Sequence, residues 1–440
     1  MRIKYSVLLC LTVFAARVPA ADLMEIYGEA VRTNPQLAAA KANLEAVREQ
    51  RPQAEAGLLP TLSASGSYTP NRYKGLDPKQ PVITSTDKVA SLDLTQPLFR
   101  YDRWIQLKQA DSQIAAAEAD YMAASQDLMV QVANRYFAVL EAQSNLEYAK
   151  AEKSAIGRQL DQAKQRFDVG LIAITDVKAA QARYDLSVSQ EIQAISGLVA
   201  AKDSLRETVG TYYDSVDSLK DDLKLSDPEP DSAQDWIERA KQHNLSILSA
   251  QANTETAQQE IRRQRAGHLP TLDLNASAGY VESGGAFPRK GESAEIGLQL
   301  NVPLYEGGSV NSRTREARSR FQEATENLSQ AVRATELATR DAFRGVKTDI
   351  AQVNALDRSL ESTEVAVQAE EAGFEVGTRT IVDVLNSQRE YYLARLNYAR
   401  ARYLYVVDQL RLKRAAGILQ ETDLEEVNRA LVPPTEPPME

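Results

Sequence analysis

The sequence predicts an α+β chain in which two long helical hairpins each carry a pair of β-strands, the whole arranged as an internal two-fold repeat. Three observations predict it. First, Leu59-Pro60-Thr61-Leu62 returns as Leu269-Pro270-Thr271-Leu272, and Gln165-Arg166-Phe167-Asp168-Val169-Gly170 is echoed by Ala372-Gly373-Phe374-Glu375-Val376-Gly377. The same pair then follows each echo, Asp176-Val177 and Asp383-Val384. Second, Asp102 to Phe167 contains no proline and is interrupted only by Gly157, with a counterpart from Ser309 to Val376. Third, four short segments, two per half, alternate polar and apolar residues with period two. Halves with the same order of signals are expected to fold into the same unit, and several such units in one ring make a quasi-symmetric tube.

The first 20 or so residues read as a signal peptide: Arg2 and Lys4 precede a short apolar run, Val7 to Ala16, and Val18-Pro19-Ala20 offers a cleavage site. The run is shorter than the ~20 apolar residues of a spanning helix. Cys10 lies inside it, so cleavage after Ala20 removes the only cysteine of the chain and leaves no disulfide to form in an oxidising compartment. Losing Arg2, Lys4 and Arg17 with the leader makes a chain of formal net charge −10 more acidic still. Such a chain is not expected to bind nucleic acid and favours cations. Residues 21–220 form the expected first repeat and 221–430 the second.

Ala, Gln, Glu, Arg and Leu dominate the proline-free stretches, which suits helix. About 65 residues of helix would extend ~100 Å, too long for one globular domain, so a coiled coil or an elongated tube is implied. Heptad spacing agrees: Tyr391, Tyr398 and Tyr405 form one seam, and Phe343, Val346, Ile350 and Val353 another.

Strands are expected at about 61–69, 89–98, 271–281 and 294–304. Thr61, Ser63, Ser65 and Ser67 oppose Leu62, Ala64, Gly66 and Tyr68; Asp273, Asn275 and Ser277 oppose Leu272, Leu274 and Ala276; Glu295, Gln299 and Asn301 oppose Ile296, Leu298 and Leu300. A soluble hairpin packing its apolar face on a helix and a membrane barrel turning that face to lipid both fit this pattern. Phe99, Tyr101, Trp104 and Tyr305 at the strand ends suit an interfacial aromatic girdle. Four strands cannot close a barrel, and lipid tolerates no open edge. Spanning strands would therefore require several chains: two give eight strands with a filled interior, three give twelve with room for a lumen. The polar segments 69–89 and 282–292 would be the loops outside the membrane, and the proline-rich tail 431–440 is expected to be disordered.

Catalytic and metal-binding constellations are missing from the sequence: His243 and His268 are its only histidines, and it has no phosphate-binding glycine loop. The informative segments are two tip turns, 167–177 and 374–385. Gly377 suits a left-handed helix C-cap. Thr380 suits an N-cap with Asp383 as its capping-box partner. A capping role alone would account for Asp383.

The repeat, the Leu-Pro-Thr-Leu strand entries, Asn34-Pro35 and both turn motifs closely resemble the TolC family of outer-membrane exit ducts across essentially the whole mature chain. The resemblance implies a homotrimer with a twelve-stranded barrel in outer-membrane lipid, four strands from each chain, continuous with a long α-helical barrel in the periplasm. It implies transport without cofactor or enzymatic activity, for type I secretion or multidrug efflux. The partners would be a periplasmic adaptor (membrane fusion protein) and an inner-membrane ABC or proton-driven transporter. It also implies a gate latch of Arg379 against Thr175 and Asp176, with Phe374 standing where the family has a tyrosine. A constriction ring would be formed by Asp383 and Asn386, and adaptors would dock near Gly170 and Gly377. Phe374 removes one closing hydrogen bond of ~0.5–1.5 kcal/mol. Asn386 replaces a carboxylate, so weaker cation block and an easier opening are expected. A soluble periplasmic coiled-coil protein or adaptor is the alternative.

Overall fold

A computed structural model describes residues 21–76, 81–284 and 288–433. The expected signal peptide, the tips of both strand-connecting loops and the tail beyond Pro433 lie outside these residues. The chain begins with helices α1 (Leu23–Thr33), α2 (Pro35–Arg48) and α3 (Gln50–Ala56), then strands β1 (Thr61–Tyr73) and β2 (Ile83–Phe99). Helix α4 (Tyr101–Asp168) runs to the first tip turn and α5 (Ile174–Val209) returns, followed by β3 (Ser218–Leu219). The same order then recurs: α6 (Ala233–His243), α7 (Leu245–Arg265), β4 (Thr271–Ser283), β5 (Arg289–Asn301), α8 (Ser309–Glu375) and α9 (Ile381–Ala415). Helix α10 (Glu421–Arg429) and β6 (Leu431–Val432) close the chain. Helices α4 and α8 have 68 and 67 residues, which makes each ~100 Å long.

Asn34 and Asn244 perform the same task in the two halves. The Asn34 side chain accepts from the N–H groups of Gln36 and Leu37 and donates to the Thr208 carbonyl at the end of α5. Asn244 accepts from Ser246 and Ile247 and donates to the Ala415 carbonyl at the end of α9. Each asparagine thus satisfies orphan groups at two helix termini and anchors the base of a long hairpin. Around these bases lies the main core, with Leu23, Ile26, Val132, Tyr136, Leu140, Leu205, Trp236, Tyr405, Leu410 and Leu424.

The four long strands form one antiparallel sheet in the order β1-β2-β4-β5. Its register sorts the faces: Ser63, Asp93, Ser277 and Glu295 make one rung, and Leu62, Leu94, Ala276 and Ile296 the adjacent one. The outer strands β1 and β5 each pair on one side only. Arg100, between β2 and α4, grips Asp273 of β4 through two bonds, 3.0 and 2.6 Å. This bidentate pair fixes the sheet to the start of α4.

Several sequence boundaries are corrected. β1 and β2 extend the first hairpin well beyond the expected 69 and 89, and β4 and β5 do the same to the second. Pro70 lies inside β1, opposite Thr86 of β2. β5 ends at Asn301 rather than 304. Leu431 and Val432, expected in a disordered tail, pair with Leu219 and Ser218.

Candidate gate at the helical tips

At the first tip α4 ends at Asp168, Gly170 turns the chain at φ 77°, and α5 begins at Ile174. Ala173 occupies the N-cap and supplies no side-chain bond. Thr175 is exposed and Asp176 partly so, at the second and third positions of α5. At the second tip α8 ends at Glu375, Gly377 turns at φ 79°, and α9 begins at Ile381. Here Thr380 and Asp383 form the expected capping box. The Asp383 carboxylate accepts from the Thr380 hydroxyl at 2.7 Å and from its N–H at 3.0 Å. These two bonds, aided by the Arg379 charge, hold its carboxyl below the usual range. Both turn glycines have open space around them, as a docking contact would require.

Arg379 does not reach Thr175 or Asp176 within this chain. Its Nε lies 3.3 Å from Glu370 Oε2, one long step back along α8. Gly373 makes the fold-back possible: a Cβ there would sit 2.6 Å from Arg379 Cγ. Phe374 is buried, 6 % exposed. The Arg166 guanidinium from α4 stacks 4.3 Å from its ring centroid and donates to its carbonyl at 3.3 Å. This cation–π contact joins the two hairpins. Asn386 accepts from Arg183 of α5 at 2.9 Å. Beneath these contacts Ile156, Leu160, Ala163, Ala180, Ile381, Val384 and Leu385 form a small core joining the two tips.

Motif spacing did not mark Glu370, Arg166 or Arg183. The only available signal for Arg166 was its place in the repeated turn motif, where Gly373 stands in the second half. Among the described residues no cluster of three or more His, Cys, Asp or Glu side chains could hold a metal ion.

At the opposite end of α4 and α8 the sheet presents two unlike faces. Ile296, Leu298 and Leu300 are exposed by 77, 67 and 63 % in the single chain. The polar face is cross-linked, Ser65 to Ser91 at 2.8 Å, Thr95 to Asn275 at 3.1 Å and Asn275 to Gln299 at 2.9 Å. Phe99, Tyr101, Trp104 and Tyr305 are all exposed near the helix-side end of the strands. No helix among the described residues is long and apolar enough to cross a membrane.

Known proteins share this arrangement. The outer membrane efflux protein family matches residues 26–211 and 236–418. The chain is 37 % identical to the outer membrane protein TolC of Escherichia coli, covering 97 % of this chain and 88 % of that protein. It is 30 % identical to the alkaline protease secretion protein AprF of Pseudomonas aeruginosa, over 92 % of this chain and 86 % of AprF. Among solved structures, CusC superposes with a TM-score of 0.79 at 19 % identity, covering 90 % of this chain and 92 % of CusC. Matched along nearly its full length by a family of transport ducts, the chain belongs to the outer membrane efflux proteins.

Proposed function

We propose that three copies of this chain form an outer-membrane exit duct for type I secretion and multidrug efflux, gated at the helical tips. The sheet carries the reading. Four strands have an exposed apolar face, a hydrogen-bonded polar face and two open edges. Three such sheets close a twelve-stranded barrel with the apolar face to lipid and the polar face to water. The ~100 Å helices α4 and α8, with their returning partners, continue that tube across the periplasm. The recurring order of elements, with Asn34 and Asn244 in equivalent roles, supports an internal two-fold repeat, 21–220 and 221–430.

The tips close the tube. Arg379 of the second turn latches onto Thr175 and Asp176 of a first turn, and Asp383 with Asn386 rings the constriction. Asp176 suits the acceptor role because its α5 terminus has no side-chain cap drawing on its carboxylate. An adaptor would dock at the open turns around Gly170 and Gly377 and couple the duct to an inner-membrane ABC or proton-driven transporter. Opening then separates hairpin pairs whose polar contacts are few and partly exposed, as a two-state gate requires. Planar-bilayer recording tests the latch. Arg379→Ser combined with Asp176→Ala is expected to raise single-channel conductance, and unchanged conductance would place the latch elsewhere.

A further inference from the structure

We propose that Glu370 is a second acceptor for the Arg379 guanidinium, competing with the first tip turn and so setting how often the entrance is open. The inference rests on the gate reading above and adds a residue to it. Three observations carry it. The Glu370 side chain is only 23 % exposed, and its ion pair with Arg379 is made at 3.3 Å. Its Oε2 atom is buried with no hydrogen bond among the described residues, so Arg379 is the group that offsets its charge. Gly373 leaves open the volume through which Arg379 folds back, and any larger residue would collide with Arg379 Cγ.

A guanidinium has one charge and a fixed fork of donors, and here its charge lies beside Glu370 as an ion pair rather than a hydrogen bond. The 57 % exposure of Arg379 leaves its side chain able to swing. In one position it lies along its own helix, and in the other it reaches the Thr175–Asp176 end of α5. Glu370 stabilises the first position and therefore the unlatched state. A half-exposed pair of this kind shifts an equilibrium by about two- to fivefold, less at high salt.

The test is a set of four variants recorded in planar bilayers: Glu370→Gln, Gly373→Ala, Arg379→Ser and the double Glu370→Gln/Arg379→Ser. Glu370→Gln keeps the shape and removes the competing charge, and the open fraction is expected to fall about two- to fivefold at low salt. Gly373→Ala leaves Glu370 charged but displaces Arg379, and a fall in the same direction is expected. The double variant should match Arg379→Ser alone. If Arg379→Ser raises conductance while Glu370→Gln changes nothing, the gate stands and the role of Glu370 is overturned. If Glu370→Gln acts equally with and without Arg379, Glu370 works as a fixed charge and the competition is overturned. If Arg379→Ser changes nothing, the gate reading and this proposal fall together.

Discussion

At the first tip the chain leaves α4 at Asp168, passes Gly170 at φ 77° and enters α5 at Ile174 without a side-chain cap. At the second it leaves α8 at Glu375, passes Gly377 at φ 79° and enters α9 at Ile381 beneath the Thr380–Asp383 box. The backbone path is the same and the use of polar side chains is not. The second turn satisfies its own helix terminus and carries the exposed cation Arg379. The first turn leaves Thr175 and Asp176 outside any cap and so available to another partner. Two turns of one backbone path thus differ in their caps: the second is closed by its own side chains and the first is not.

The largest expected effect contrasts two acids of the second half. Asp383 has donors and its carboxyl is held low, so its contribution is present above the ordinary carboxylate range and is lost as pH falls through its lowered value. Asp349, on α8, is 5 % exposed, and its Oδ2 has no hydrogen bond among the described residues. Burial, then the adjacent Asp408 of α9, push it up to about 7, against a small opposing effect of Arg411. A raised value reverses the sign: the protonated form favours the fold, and that stability is lost as pH rises through about 7. Asp349→Asn should remove this loss, raising stability above neutrality by on the order of 2–4 kcal/mol. Thermal melting across pH checks it, and an unchanged profile would show that Asp349 is charged in the fold.

Next in size are the turn glycines. Each has φ near 80° and open space around it, so Gly170→Ala and Gly377→Ala should each cost ~1–2 kcal/mol through backbone strain alone. Equal costs in chemical unfolding would confirm equal paths, and unequal costs would break the comparison. Smaller again, Thr380→Ala should cost ~1 kcal/mol by removing a cap, whereas Thr175→Ala should cost less than ~0.5 kcal/mol. Hydrogen exchange at the first turns of α9 and α5 separates the two, and comparable losses would mean that Thr175 also caps.

Much of the architecture was legible because it rests on periodicity. Alternation marked the four strands, and long proline-free stretches marked α4 and α8. Their ends were less legible. Pro70 looked like a loop residue but lies within β1, opposite Thr86 of β2. β3 and β6, two residues each, are too short to show a period, and they form because distant parts of the chain meet. At the second tip, the capping box of Thr380 and Asp383 was local and therefore readable. Glu370, Arg166 and Arg183 are charges on helices rich in charge. What singles them out is contact across hairpins, or across the gap left by Gly373, and spacing alone carries no trace of it.

The open outer strands β1 and β5 have a consequence for inheritance as well as for architecture. In the proposed trimer each chain owns a third of a wall and no complete wall, so the fate of a barrel is decided by its least competent member. A copy whose β5 cannot pair would spoil the intact copies that join it. In an even mixture only about one barrel in eight would be wholly intact. Such lesions would behave as dominant, while a copy too damaged to join any barrel would behave as recessive.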